Sequence, residues 1–544
     1  MAGSTHTVTN QPPPLAGYDV FTADRALTAA VERHLDPRLL DEALGELSAL
    51  GRSAGSPQVQ EWGVLADEHP PRLRTHDRYG NRVDDVDFHP AWHRLLGKGV
   101  SAGLTAAWSR PGGHVRRAAG FLVWTQVEAG NGCPLSMTHA AVPALRADPA
   151  LAAEWEPRLT SAVYDRELRP AHLKAGVLLG MGMTEKQGGS DVRANTTAAR
   201  PLTEDGAYEL TGHKWFCSAP MSDGFLVLAQ APGGLTCFLV PRVLPDGTRN
   251  AFLLQRLKNK LGNRSNASAE VEFDGTRARR VGEEGRGVRT IIDMVAATRL
   301  DCVLGSAGLM RQAVAQAVHH CTYREAFGGP LADKALMRNV LADLALESEA
   351  ATTLALRLAA AYDDGGEQER ALLRLAVPAA KYWVAKRCAP VVVEAAECLG
   401  GNGYVEESGM PRLVRESPLN SIWEGAGNVQ ALDVVRALQR EPRALDACLL
   451  EIGQARGADH RLDAAAKRLL TDLGDLERVE GRARRLAERL ALVLQGALLV
   501  RFAPPEVADA FCAARLGGDG GSAFGTLPPT LDLASVVARA RPVG

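Results

Sequence analysis

Three short stretches of the sequence combine glycine with polar or acidic residues in ways that can bind a ligand or carry chemistry. The first, residues 182–191 (GMTEKQGGSD), places small residues beside Thr184 and Ser190, whose hydroxyl and N–H groups can bind a ring carbonyl or a phosphate. It lacks the Gly-Lys-Ser/Thr ending of a P-loop and the glycine spacing of a Rossmann fingerprint. A polar turn without a ligand is the alternative interpretation.

The other two stretches lie further along the chain. Residues 397–404 (ECLGGNGY) contain a glycine-rich run that is typical of a helix end, or of a close approach between backbone and ligand. Residues 422–428 (IWEGAGN) place Glu424 between an aromatic residue and a glycine. A desolvated carboxylate in this setting can act as a general base toward an apolar substrate, and an exposed loop carboxylate is the alternative.

Four arginines near the C-terminus are spaced by 4, 3 and 4 residues: Arg478, Arg482, Arg485 and Arg489. On one α-helix this spacing would put four guanidinium groups on one face, able to contact successive phosphates of double-stranded DNA. Acidic residues intervene at Glu477, Glu480 and Glu488, so a solvated helix with internal salt bridges is the alternative. We predict no metal site, because Pro90 separates His89 from His93 and no glutamate follows the first histidine.

The elements that must position these residues change their periodicity along the chain. A proline-rich arm, Asn10–Pro14, precedes helical patterns that continue to about residue 178, and we expect that the arm can clasp a neighbouring subunit. Residues 225–230, 235–240 and 269–273 then read as strands. We predict a mainly α fold with a central antiparallel β domain, divided into residues 1–180, 181–290, 291–440 (a four-helix bundle) and 441–544 (an added helical domain).

Composition limits the class of protein. The chain has 544 residues, of which 46% are apolar and 23% charged, with a formal charge of -2, so we predict a globular protein without a global basic field. The nine scattered cysteines and the lack of a signal-like N-terminus predict a cytoplasmic protein. The longest uncharged stretch is interrupted by Pro232-Gly233-Gly234, so we predict no membrane span.

Residues 182–194 and 397–416 resemble the two signature segments of the acyl-CoA dehydrogenase family, at every specified position and in the right order. The resemblance implies an acyl-CoA dehydrogenase-like fold with bound FAD, and a homotetramer in which Arg324 and Phe327 reach the FAD of a neighbouring subunit. It implies further cofactor contacts at Met183, Thr184, Gly189, Ser190, Trp215, Phe216, Ser218, Ile422, Trp423, Gly425, Gly427 and Asn428.

The same resemblance gives Glu424 the role of the base that removes the proton α to a thioester carbonyl. Some relatives place their base at the position of Thr298, before Arg299, but threonine cannot serve there. Three further segments, residues 5–12, 84–93 and 260–268, resemble the branch of the family that serves the adaptive response to DNA alkylation.

That branch implies an FAD protein that binds duplex DNA through residues 441–544 and protects it from alkylation, with weak acyl-CoA (isovaleryl-CoA) dehydrogenase activity. One alternative is a metabolic short- or branched-chain acyl-CoA dehydrogenase whose extra domain serves assembly. A second is a DNA-shielding protein whose flavin is structural.

Overall fold

A computed structural model describes residues 5–203, 206–474 and 479–542, and it divides into two compact units. Unit 1 comprises the chain up to Pro57 together with everything from Cys302 onward. Unit 2 comprises Gln58–Asp301. The described residues form these α-helices: α1 Arg25–His34, α2 Pro37–Gly55, α3 Pro57–Glu68, α4 Pro90–Ser101, α5 Gly113–Thr125, α6 Gly132–Leu145, α7 Pro149–Leu159, α8 Gly287–Tyr323, α9 Ala335–Asp364, α10 Glu367–Cys398, α11 Met410–Glu416, α12 Gly427–Arg440, α13 Pro442–Gly453, α14 His460–Leu473, α15 Ala483–Phe502, α16 Pro505–Phe511 and α17 Leu533–Ala540.

Unit 1 is built on the long helices α9 and α10, which pack against each other and against helices from the C-terminal region. Buried ion pairs fix that region in place. The guanidinium of Arg515 pairs with Asp343 and with Glu347 (2.8 Å) on α9, and Glu451 on α13 pairs with Arg357 of α9 at 2.7 Å. The described residues between 442 and 542 are therefore packed onto the helical bundle within one unit.

Unit 2 contains the central sheet. The described strands are β1 Arg72–His76, β2 Arg82–Asp87, β3 Leu179–Gly182, β4 Ala198–Pro201, β5 Ala207–Ser218, β6 Gly224–Ala231, β7 Gly234–Pro241, β8 Phe252–Leu257, β9 Ser268–Val281, β10 Glu325–Ala326 and β11 Gly329–Pro330, the last two in unit 1. Strands β3 to β9 form one sheet in the order β3-β6-β4-β5-β9-β7; β8 pairs with β9, and β7 also pairs with β6, which closes the sheet into a barrel.

The barrel confirms the predicted central β domain. Its pairs are antiparallel except that β3 and β4 run parallel to β6. Alternate residues point inward, as a half-buried strand requires, and the interior is filled by Phe225, Phe238, Phe252 and Phe273. Strands β6 and β7 begin and end within one residue of their predicted bounds.

One prediction was wrong: residues 72–87 form the hairpin β1–β2 within a region predicted to be entirely helical. Strand β1 alternates over only five residues, and β2 carries charged residues on both faces, so the alternation that identifies a strand is weak. Tertiary contacts hold the hairpin instead. The Asp84 carboxylate accepts a hydrogen bond from the Leu254 N–H of β8 at 3.0 Å.

The predictions from sequence also concern the cysteines, the possible metal ligands and the lengths of apolar helices. All nine cysteines are buried free thiols. Among the described residues, no cluster of three or more His, Cys, Asp or Glu side chains is arranged to hold a metal ion. Across residues 5–203, 206–474 and 479–542, no helix combines the length and the apolarity that a membrane crossing requires.

The buried histidines of unit 2 predict that acid destabilises it. Burial, with Arg117 and Arg146 nearby, lowers the pKa of His114 to about 3, so the unfolded chain takes up this proton near pH 6.5 while the folded protein does not. Stability therefore falls as pH drops below 6.5. In urea unfolding, His114→Phe should reduce the loss of stability between pH 7 and pH 5 by about 2 kcal/mol; an equal loss in both proteins would contradict this.

Candidate functional site

In unit 2 the first signature segment follows β3 and folds back beside β5. The Trp215 N–H donates to the Thr184 carbonyl at 2.8 Å, and Asn195 Nδ2 donates to the Met183 carbonyl at 2.9 Å. A Cβ at Gly189 would lie 2.5 Å from Thr184 Oγ1, so only glycine permits this close packing. The structure thus brings Met183, Thr184, Gly189 and Trp215 together, and Ser190 lies in the same exposed loop.

A buried ion pair anchors this loop. The side chains of Glu185 and Lys214 are fully buried, with Nζ 2.7 Å from Oε1. Although burial alone would raise the pKa of Glu185, the Lys214 ammonium and the N–H groups of Thr196 and Thr197 stabilise the carboxylate and hold that pKa well below its ordinary range. Lys214 Nζ also donates to the Leu228 carbonyl of β6 at 2.7 Å, so the loop is tied to two strands.

The other unit 2 candidates lie at the end of β5. The ring of Phe216 is 49% exposed, which is unusual for a large apolar side chain in a strand. The Lys258 ammonium lies 3.1 Å from the centre of the Trp215 ring, a cation–π contact. Ser218 Oγ lies 3.4 Å from Ser268 Oγ.

In unit 1, Glu424 lies on a turn whose backbone is strained. Its φ is +57°, and Gly425 follows at +94°. Within the described ranges only six residues other than glycine have a positive φ, and two of them, Phe327 and Glu424, are predicted site residues. Such conformations cost about 1–3 kcal/mol each and persist only where the surroundings impose them.

Two buried side chains impose the conformation of the Glu424 turn. Lys381 of α10, 1% exposed, donates from Nζ to the carbonyls of Trp423 (2.6 Å) and Gly425 (2.5 Å). Gln430 of α12, fully buried, donates from Nε2 to the carbonyls of Glu424 (2.8 Å) and Gly425 (2.9 Å). The indole N–H of Trp423 donates to Asn420 Oδ1 at 2.9 Å.

The remaining unit 1 candidates surround this turn in the sequence. The side chain of Ile422 is 61% exposed, Gly427 begins α12, and Asn428 is exposed with its Oδ1 accepting from Arg484 Nε at 2.7 Å. The glycine run at 400–403 ends α10, where a Cβ at Gly403 would lie 2.0 Å from the Ala396 carbonyl. That stretch is a helix end, one of its two predicted interpretations.

Arg324 and Phe327 belong to the short hairpin β10–β11. Phe327 and Gly328 occupy its two-residue turn with φ of +51° and +80°, and the Phe327 side chain is 93% exposed. The N-terminal arm lies on this hairpin in the same chain: Arg324 Nη1 donates to the Asn10 carbonyl at 2.5 Å. Within one chain the arm thus contacts the hairpin, and the expectation that it can clasp a neighbouring subunit stays a prediction.

Among the described residues, Arg482 lies outside the helix that carries Arg485 and Arg489, so the prediction of one shared helical face was wrong for these three. Arg478 lies outside the described residues, Arg482 ends a short 3₁₀ turn, and only Arg485 and Arg489 lie on α15, which begins at Ala483. Gly481, a poor helix former, lies within that turn. Arg489 pairs with Asp472, and Arg485 Nε lies 4.0 Å from the same carboxylate.

Sequence reasoning missed the residues that position the site: Glu185, Lys214, Lys381, Gln430 and Asn10. One weak signal existed, because Lys381 interrupts an otherwise apolar stretch of α10. A lysine on a buried helical face requires a partner, but the sequence does not show that the partner is a turn about forty residues later.

The turn at Glu424 should depend on Lys381. Lys381→Met keeps the aliphatic stem but removes two charge-assisted hydrogen bonds, so we expect a loss of about 2 kcal/mol in the free energy of urea unfolding. Arg370→Met, an exposed change on the same helix, is the control. Equal unfolding midpoints for both variants would show that Lys381 does not hold the turn.

Family models match three successive parts of the chain. Residues 10–166 match the "Adaptive response protein AidB N-terminal domain", residues 180–276 the "Acyl-CoA dehydrogenase, middle domain", and residues 285–439 the "Acyl-CoA dehydrogenase, C-terminal domain". These matches confirm the family that the two signature segments predicted.

Relatives extend the similarity over nearly the whole chain. It is 46% identical over 531 residues to AidB of Escherichia coli strain K12, covering 96% of each chain. It is 30% identical to acyl-CoA dehydrogenase family member 11 of Caenorhabditis elegans, covering 89% of this chain and 84% of the relative.

A solved structure agrees with these relatives. The Caenorhabditis elegans protein ACDH-11, determined in complex with C11-CoA, superposes with a TM-score of 0.85 at 27% identity, covering 94% of both chains. The chain belongs to the AidB branch of the acyl-CoA dehydrogenase family and is an FAD-dependent oxidoreductase of that type.

Proposed function

We propose that this protein binds FAD through the predicted cofactor residues, uses Glu424 as a base on acyl-CoA thioesters, and binds duplex DNA to protect it from alkylation. The types of residue present in each unit are suited to binding a flavin. In unit 2 the loop at 186–190 is exposed and rich in glycine, and the buried Glu185–Lys214 pair fixes its start. In unit 1 the glycines at 425 and 427 follow the turn that carries Glu424.

FAD, when bound, accepts the β hydrogen of the acyl chain together with its electron pair. The protein supplies the complementary step, in which the Glu424 carboxylate removes the proton α to the thioester carbonyl. The single observation that carries this half of the proposal is the Glu424 turn. Two buried side chains, Lys381 and Gln430, hold its backbone in an unfavourable conformation. Strained conformations of this kind are typical of functional sites.

A cavity in unit 2 also supports a CoA thioester as ligand. It has a volume of about 570 Å³ and is lined by Arg193, Arg286 and Arg289 together with apolar Leu235, Val288 and Ile292. Three guanidinium groups beside an apolar floor suit a ligand that joins phosphates to an apolar chain. The C11-CoA complex of the Caenorhabditis elegans relative is consistent with that class of ligand.

Glu424→Gln keeps the size of the side chain but cannot take up a proton at neutral pH. In an anaerobic titration with isovaleryl-CoA, we expect flavin absorbance near 450 nm, roughly where oxidised flavins absorb, to bleach in the wild type and to persist in the variant. Bleaching at wild-type rate in the variant would remove Glu424 from the reaction. No bleaching in either protein would favour a structural flavin, whereas fast bleaching without DNA binding would favour the metabolic alternative.

The DNA half of the proposal is supported by arginines at the start of α15. Arg484 and Arg485 are exposed and Arg482 is half-buried. Three arginines therefore lie close together at the start of α15, although they do not share one helical face. The similarity to AidB is the second support, because that family model is described as an adaptive response protein. Asp472 neutralises Arg489, so we assign that arginine the smallest contribution.

Replacing Arg482 and Arg485 together by alanine should weaken binding to a short duplex and reduce the slope of log affinity against log salt by about 2, one unit per lost phosphate contact. Arg443→Ala is the matched control, because Arg443 is 79% exposed and paired with Glu367. An unchanged salt slope in the double variant would contradict this DNA-binding surface.

The assembly and location complete the proposal. We propose a homotetramer, supported by the exposed apolar side chains of Phe327 (93%), Leu336 (85%) and Tyr404 (91%) in unit 1. A cytoplasmic location fits nine free thiols, since disulfides are rare in that compartment.

A further inference from the structure

The hydrogen bonds of the β10–β11 hairpin are few. Its ladder has two residue pairs, Glu325 with Pro330 and Ala326 with Gly329, and beyond them the Leu331 N–H donates to the Arg324 carbonyl at 2.9 Å. Its turn places Phe327, a bulky residue, at a positive φ that favours glycine or asparagine. An isolated two-stranded hairpin is marginal in water even without such a turn residue.

The side chain of Asn10 stabilises the hairpin. Its side-chain amide pairs with both backbone groups of Glu325: Nδ2 donates to the carbonyl at 2.8 Å, and Oδ1 accepts from the N–H at 2.8 Å. A carboxamide offers a donor and an acceptor side by side, as a neighbouring strand does. The Asn10 side chain therefore makes the two hydrogen bonds that a neighbouring strand would make with Glu325 at the edge of the hairpin.

The surrounding arm strengthens this contact. The φ of Asn10 is +57°, a conformation that asparagine tolerates better than most residues, and it lets the Asn10 carbonyl accept from Arg324 Nη1. His319 Nε2 lies 2.8 Å from the Pro13 carbonyl, and Lys334 Nζ donates to the Phe327 carbonyl at 2.9 Å. The arm, which α8 contacts through His319, and Lys334 at the start of α9 thus hold the hairpin, while the Phe327 side chain stays exposed.

We infer that Asn10 is a positioning residue for the flavin site: it holds the hairpin so that Arg324 and Phe327 contact the FAD of a second copy of this chain. The inference rests on the proposed function, in which that hairpin reaches the flavin. It adds that an arm residue more than three hundred positions away sets the geometry of the contact.

The test uses the full-length, FAD-loaded protein and the change Asn10→Asp. Aspartate keeps the shape but loses the donor and directs negative charge at the Glu325 carbonyl. We expect hydrogen–deuterium exchange of the peptide spanning 324–331 to accelerate about tenfold and the FAD retained after gel filtration to fall several-fold. Gln11→Glu, the same chemical change at the next position, should leave both readouts at wild-type values.

The variant Phe327→Ala separates this inference from the proposed function. If Phe327→Ala loses FAD while Asn10→Asp retains it, the inference is wrong and the proposed hairpin contact stands. Faster exchange in Asn10→Asp with full FAD retention also overturns it, because the clamp would then order the hairpin without serving the flavin. If Phe327→Ala retains all its FAD, the hairpin does not reach the flavin, and both proposals fail.

Discussion

The backbone of Glu424 is held in the left-handed region by Lys381 and Gln430, and the proposed chemistry depends on that constraint. Such a conformation is costly for a residue other than glycine and persists only where the surroundings impose it. The lysine and the glutamine are both buried, so their hydrogen bonds are strong and their loss would leave carbonyl groups without partners. The direction in which the carboxylate points is therefore set by α10 and α12.

The same principle recurs at the other candidate segments. The loop that carries Thr184 is tied down by the buried Glu185–Lys214 ion pair, and the hairpin that carries Phe327 is tied down by Asn10. Each segment presents an exposed or strained residue, and each is held by a polar side chain from a distant part of the sequence. Rigid helices and strands thus supply the order that short, glycine-rich segments lack.

The sequence allowed the strands of the barrel to be predicted well, because Phe225–Gln230 and Leu235–Val240 are short apolar runs bounded by turn residues. The hairpin β1–β2 could not be predicted, since β1 is short, β2 carries charges on both faces, and contacts with β8 stabilise the pair. The arginine prediction failed at Arg482 for a local reason: spacing implies a shared face only within a continuous α-helix, and Arg482 lies in a 3₁₀ turn that contains Gly481. The FAD and base residues remain predictions of the family resemblance, whereas the hydrogen bonds that position them became visible only in the structure.

The central claim is that Glu424 removes the proton α to a thioester carbonyl. Incubating the FAD-loaded protein with isovaleryl-CoA in D₂O and recording the deuterium content at C2 by mass spectrometry tests that step directly, independently of whether the flavin is reduced. The account predicts that deuterium enters C2 with the wild type and not with Glu424→Gln. Equal incorporation in both proteins, or none in either, would contradict it.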